Sequence, residues 1–275
     1  MIFRSYRPSF LLLTYVEVIH LRHFVFPPHG NLPFKPYPPR PEHCLTFYVR
    51  GVETTEYKKE GTRIKRPRST VSGQYISQIN RNISSEFLMI LVVFKPGALN
   101  RLTGIPFTEF TNLAFDAESV FGYAVRNLNE RLNSTDSYDE MIDLVNTFLV
   151  DMVKKSAKDF LPVDHAINYF VQNPASASVK NLSSLSCLSP RQVERRFLER
   201  VGINPKTFLR IIRFNRSYFL HLRHPAMNWS SLAIHCGFTD YQHMVKDYIE
   251  FTGSTPELLF LSEANAPERI LGLTQ

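Results

Sequence analysis

The sequence predicts an α+β chain of two domains. Residues 1–160 form a β-rich domain with flanking acidic helices, and residues 161–275 form an all-helical domain. Three observations lead there. Runs of branched and aromatic residues recur through the first 110 positions. Helical periodicity replaces them further on. Residues 179–256 then contain one pattern twice. At 275 residues the chain has room for two cores. An apolar content of 44% excludes global disorder.

In the first region, residues 15–21, 45–49, 70–76 and 87–94 read as strands. The last of these is continuously apolar, which predicts burial on both faces. Seven prolines between Pro27 and Pro41 predict an irregular connection there. The apolar run at 10–19 follows Arg4 and Arg7 as a secretory leader would. It is broken by Glu17 and lacks a small-residue cleavage site, so it is expected to belong to the fold. No apolar run approaches the roughly 18 residues of a spanning helix, so a soluble, non-membrane protein is expected.

Two helices follow. Residues 117–132 place Val120, Tyr123, Ala124 and Leu128 on one face, and residues 137–155 place Met141, Leu144, Val145, Phe148 and Met152 on another. Ser137 and Glu140 form a capping-box signature. This pair is expected to finish the first core or to supply a dimer contact. The boundary is expected near 158–162, followed by a helix at 163–172.

The repeat is the sharpest feature. One copy runs Cys187, Leu188, Ser189, Pro190, then Val193, Phe197, Val201, Gly202 and Pro205; the other runs Gly237, Phe238, Thr239, Asp240, then Met244, Tyr248, Thr252, Gly253 and Pro256. From Val193 and Met244 onward the offset is a constant 51. A short helix, a turn and a second helix make a unit used twice, at about 179–202 and 230–253. Ser189 with Pro190, and Thr239 or Asp240, start the second helices. Gly202 and Gly253 stand where a helix end needs positive φ. This is a helix-turn-helix, whose second helix enters a DNA major groove. Between the copies, residues 206–222 carry Phe208, Ile211, Ile212, Phe219 and Leu222, which predicts a long connecting helix. To read successive major grooves, the two second helices must sit about 34 Å apart.

Net charge is +7. Residues 1–110 carry 15 Lys+Arg against 7 Asp+Glu, residues 111–175 carry 5 against 10, and residues 176–275 carry 12 against 8. Arg191, Arg195, Arg196 and Arg200 crowd one predicted reading helix, which favours a polyanionic partner.

Residues 163–261 resemble the AraC/XylS-type family of transcription regulators, through "CLSPRQVERRFLERVGINPKTFLRIIRFNRS" and "LAIHCGFTDYQHMVKDYIEFTGSTPELL". The segments "PFKPYPPRPEHCLTFYVRG", "VSGQYISQI" and "FKPGALNRLTGIPFTEFTN" resemble the sensor-type domain of one branch of that family. The resemblance implies a cupin-like β-barrel with an undefined effector, double-stranded DNA as partner, and contact with RNA polymerase; the first domain is expected to sense an effector, form a homodimer, or both. Three positions depart from the family pattern: Ser183 and Ser186, where Ala or Leu is commoner, and Asp247, where small or basic residues are.

Helix geometry places Val193 and Phe197 inward and Arg191, Gln192 and Arg195 outward; Met244 and Tyr248 inward and Tyr241, Gln242 and Lys246 outward. The outward six are the expected base-reading residues, since Arg pairs with guanine and Gln with adenine. Lys206, Arg210 and Arg213, with the hydroxyls of Ser189 and Thr239, are the expected phosphate contacts. Neither a cofactor nor a metal is expected. His20, His23, His29 and His43 have no His-x-His pair or matched carboxylate. His221, His224, His235 and His243 fit packing or surface exposure. Cys44, Cys187 and Cys236 lie in apolar contexts that predict buried thiols, and no C-x-x-C pair is present, which fits a reducing cytoplasm. No Gly-rich phosphate loop or catalytic constellation is found, so no enzyme is expected. Two rival readings are a small-molecule-binding or processing barrel with a helical protein-interaction tail, and a DNA-repair methyltransferase. The second needs a reactive cysteine beside a metal-like cysteine set, which three scattered cysteines do not supply.

Overall fold

The computed structural model describes residues 1–27, 34–155, 158–174, 178–263 and 266–271. Among the described residues, ten strands form two antiparallel sheets. The six-stranded sheet has the order β1 (Ile2–Tyr6), β2 (Val16–Val25), β9 (Glu86–Phe94), β4 (His43–Arg50), β7 (Ser69–Ser72) and β10 (Ala114–Asp116). The four-stranded sheet has the order β3 (Phe34–Tyr37), β8 (Ile79–Ile83), β5 (Glu53–Tyr57) and β6 (Thr62–Lys65).

The apolar run of β9 is buried on both faces, as its composition predicts. Alternate side chains leave a strand on opposite sides. Leu88, Ile90, Val92 and Phe94 enter the core shared with the helices. Phe87, Met89, Leu91 and Val93 enter a second cluster with Phe24, Cys44 and Ile83. The proline-rich expectation needs correction in part. Residues 28–33 lie outside the described residues, but Phe34–Tyr37 is a strand despite Pro36. Among the described residues it is an edge strand paired with β8, where a missing N–H is tolerated.

The helices of the first region are α1 (Ala98–Thr103), α2 (Ala117–Phe121), α3 (Tyr123–Asn133) and α4 (Tyr138–Lys154). The single helix expected over 117–132 is broken at Gly122, whose φ of 62° and ψ of −139° no continuous helix accommodates. The break changes which face is inward: Val125, Leu128 and Leu132 are buried, while Tyr123 and Ala124 are exposed. α4 follows the expected pattern. Ser137 caps it by accepting from Glu140 N at 3.3 Å, and Met141, Leu144 and Val145 are buried.

Among the described residues the remaining helices are α5 (Pro162–Gln172), α6 (Val179–Ser186), α7 (Pro190–Val201), α8 (Pro205–Arg223), α9 (Trp229–His235), α10 (Tyr241–Thr252), α11 (Pro256–Glu263) and α12 (Pro267–Ile270). One hydrophobic cluster runs from Val163 to Leu259 and unites α5 through α11, apart from the cluster that runs from Leu12 to Leu149. α6–α7 and α9–α10 are the two helix-turn-helix units. α8 is the connecting helix and touches both: Phe208 packs edge-on to Phe197 at 5.2 Å, and Phe214 packs against Tyr248 at 4.6 Å and Phe251 at 5.5 Å. Aromatic contacts of this geometry add to what area burial alone contributes.

The two turns are closed differently. Gly237 has φ 85°, which glycine adopts freely. Its counterpart Cys187 has φ 54°, an uncommon conformation for a residue with a side chain. Cys187 is also exposed, against the expectation of a buried thiol, whereas Cys44 and Cys236 are buried. Ser186 meets its burial by donating to Leu182 O at 2.7 Å.

Candidate nucleic-acid interface

Helix α7 begins with a capping box. Ser189 Oγ accepts from Gln192 N at 3.3 Å, and Gln192 Oε1 accepts from Ser189 N at 2.9 Å. This fixes the direction in which the first turn leaves the core. Val193 and Phe197 then face inward, 0% and 1% exposed. Arg191, Gln192 and Arg195 fall on the opposite face and are exposed. Of the four arginines on this helix, only two are on that face. Arg196 pairs with Glu199 at 3.3 Å, and Glu199 also holds Lys158 at 2.6 Å.

Arg200 is buried at the contact with the first domain. It donates to Asn100 Oδ1 at 3.0 Å and to Asp159 O at 3.1 Å, and its Nε lies 3.5 Å from Asp164 Oδ1. Asp164 is fully buried. Burial raises its pKa above the ordinary aspartate value, opposed by its hydrogen bond from Leu161 N and then by the charge of Arg200. The sequence pattern did not separate Arg200 from its neighbours. The signal was its spacing of three from Phe197 and seven from Val193, which puts it on the buried face of the helix.

In the second unit, Asp240 is the residue that caps α10, accepting from His243 N at 2.7 Å. Met244 and Tyr248 are fully buried, and Gln242 and Lys246 are exposed. Tyr241 is half-buried and donates its hydroxyl to Glu257 Oε1 at 2.7 Å, so its ring is fixed against α11. The Thr239 hydroxyl lies 3.4 Å from His243 Nδ1.

Among the residues expected at phosphates, Lys206 is exposed at the start of α8. Arg213 is half-buried, its guanidinium 5.6 Å from the Phe238 ring. Arg210 has other work. It donates to Asp247 at 3.0 and 2.7 Å and to Glu250 at 3.0 Å. The hydrogen bonds it donates to Glu250 and then to Asp247 raise its pKa further above the usual guanidinium value. This explains the acidic residue at 247: Asp247 is 1% exposed and ties α10 to α8.

The interior of the first domain is largely filled. Arg66 donates to Thr55 Oγ1 at 2.8 Å and to the hydroxyls of Tyr57 at 3.1 Å and Tyr75 at 3.3 Å, while Arg81 donates to Glu53 at 2.7 Å. The cavity left between the sheets is about 30 Å³, the scale of a single water. A larger cavity of about 570 Å³ opens beside it, between β2, β3 and the end of α8, with Arg22, Lys35, Arg40 and Arg223 among its lining residues. Lys35 pairs with Glu268 there, and burial lowers its pKa to about 7.

The histidines of the first region do not converge. Among the described residues, no group of three or more His, Cys, Asp or Glu is placed to hold a metal ion, and His29 lies outside them. His23 bonds Tyr138 at 2.8 Å, His20 bonds Ser5 at 2.8 Å, and His43 bonds Val201 O at 3.0 Å. Among the described residues no helix is long and apolar enough to cross a membrane.

A pair of helix-turn-helix units on one connecting helix, each offering the N-terminal turns of its second helix to solvent, is the architecture of a domain that reads double-helical DNA. The family model described as "Helix-turn-helix domain" matches residues 182–260, and this part of the chain is a helix-turn-helix domain. No curated protein matches. Several solved structures are similar in fold. ToxT from Vibrio cholerae O395 is 13% identical with a TM-score of 0.47, covering 88% of this chain and 96% of that one. Unsaturated fatty acid bound wild-type ToxT from Vibrio cholerae strain SCE256 is 14% identical with a TM-score of 0.48, covering 90% and 96%. The AraC-like transcriptional activator CuxR is 11% identical with a TM-score of 0.28, covering 73% and 76%.

Proposed function

We propose that the protein is a sequence-specific DNA-binding transcription regulator that reads two adjacent major-groove segments with α7 and α10. The observation that carries this is the pairing of a buried apolar face with an exposed polar one on both helices. Arg191, Gln192 and Arg195 read one segment; Gln242 and Lys246, with Tyr241 as a packed wall, read the other. Lys206, Arg213, Ser189 and Thr239 hold phosphates. Arg210 is left out of this set because Asp247 and Glu250 already occupy it. In this reading residues 161–275 are the DNA-binding domain, and the protein works in the cytoplasm without catalysis.

Residues 1–160 sense an effector, dimerise, or both. The 570 Å³ cavity supports the first role, because Arg22, Arg40 and Arg223 in its lining suit an anionic small molecule, while Lys35 is held by Glu268. The second is supported by the α2–α4 face, where Tyr123 is 75% exposed beside Phe121 and Phe148. RNA polymerase is the partner such a regulator addresses when it activates.

Selection from a random duplex pool, followed by gel shifts, tests the central claim. A consensus with two separated segments is expected, with affinity falling steeply as salt rises because phosphate contacts release counterions. Recovery of random sequence alone would refute it. Sedimentation and in vitro transcription test the dimer and the polymerase contact.

A further inference from the structure

Both reading helices end on the first domain, at matching positions of the repeat. The last carbonyls of a helix have no partner within it. In α7, Val201 O accepts from His43 Nε2 at 3.0 Å and Gly202 O accepts from the Thr111 hydroxyl at 2.8 Å. In α10, Thr252 O accepts from Lys58 Nζ at 2.8 Å and Phe251 O accepts from Gln78 N at 2.7 Å. Val201 and Thr252 are equivalent, 51 residues apart. A side chain at Gly202 would place its Cβ 2.4 Å from Phe107 O, so this glycine serves both its φ of 92° and the close approach of the two domains.

We propose that the first domain is a second brace for the reading helices, and that His43, Thr111 and Lys58 are positioning residues for DNA reading. The inference rests on the DNA-reading function above. Among the described residues, α8 is the element that packs against both units, and packing on one rod leaves their relative angle some freedom. Anchoring both reading helices to one pair of sheets removes that freedom and sets their separation and relative angle. The direction of the effect follows from where the contacts lie. They engage the C-terminal ends of α7 and α10, whereas Arg191, Arg195, Gln242 and Lys246 are exposed in the N-terminal turns. Docking therefore leaves the reading faces open and orders them.

The test uses the full chain and its own selected duplex, with one to three base pairs inserted between the two segments. Wild type should lose about tenfold or more in affinity on the first insertion, since register between the segments is broken. Thr111→Val with Lys58→Met should keep affinity for the uninserted duplex within about threefold and cut the insertion penalty below about threefold, on the same scale. Thr111→Ser with Lys58→Arg should restore it. Lys58→Met alone, at an exposed position, carries no folding risk and should act in the same direction. An unchanged insertion penalty, or equal weakening on every duplex, would overturn the brace while leaving DNA reading intact. A gain in affinity for the uninserted duplex would overturn it in favour of an inhibitory contact. Failure of wild type to select any duplex would remove the DNA reading itself, and the brace with it.

Discussion

The two helix-turn-helix units share one apolar pattern and differ in how their charges are used. In the first unit, Arg200 reaches out of the unit to Asn100 and Asp164, a buried cluster that spans α1, α5 and α7. In the second, Asp247 reaches inward to Arg210 on the connecting helix. By its buried charges, then, the first unit is tied to another domain and the second to its own scaffold, although both also end on the first domain. Their turns differ as well: Gly237 closes one without strain, while Cys187 holds a left-handed conformation in the other. A repeat conserves the positions that build the core of each copy. Positions that face different neighbours are left to diverge.

The largest expected effects come from the buried charges. Arg200→Ala strands the Asp164 carboxylate, and loss of one partner of a buried pair costs about 3–5 kcal/mol. Asp247→Ala should cost less than that range, because Arg210 keeps Glu250 and is 22% exposed. Denaturant unfolding followed by Trp229 fluorescence and by circular dichroism measures both. Equal costs would break the contrast between the units.

Acid should act on the first unit's tie. Burial lowers the His43 pKa to about 4 from the ordinary 6.5, so the folded ring stays neutral where the unfolded chain takes up a proton. Stability from this group is present above pH 6.5 and declines as pH falls toward 4. Between pH 6.5 and 5 the loss is about 2 kcal/mol. His43→Gln should flatten that slope in unfolding curves taken across this range, and an unaltered slope would assign it elsewhere.

At the reading faces, Arg195→Ala should cost about 1–3 kcal/mol on the selected duplex, with less on random DNA. Comparison with Lys246→Ala in the same gel shifts sharpens which unit contributes more to specificity. Equal weakening on both DNAs would make Arg195 a phosphate contact. The smallest effect is Cys187→Gly. A left-handed residue with a side chain costs roughly 1–2 kcal/mol, partly offset by the greater freedom of glycine in the unfolded chain. A net gain of at most about 1 kcal/mol is expected from thermal unfolding, and a loss would mean the turn carries no strain.

Periodicity alone determined the elements whose apolar spacing is local. The buried faces of α4, α7 and α10, the helix ends at Gly202 and Gly253, and the doubly buried β9 were all legible, because each depends on residues within a few turns or one strand. The outward set Arg191, Gln192, Arg195, Gln242 and Lys246 followed from the same inward residues. Other features required the tertiary structure. The break at Gly122, the edge strand containing Pro36, the diversion of Arg200 and Arg210 into ion pairs, and the exposure of Cys187 each depend on a neighbour distant in sequence or on one backbone angle. Spacing specifies which side of a helix is apolar, since that is a property of the helix. It leaves open which polar side chain meets a partner, since a hydrogen bond or ion pair is decided by a few ångströms of approach between segments that only folding brings together.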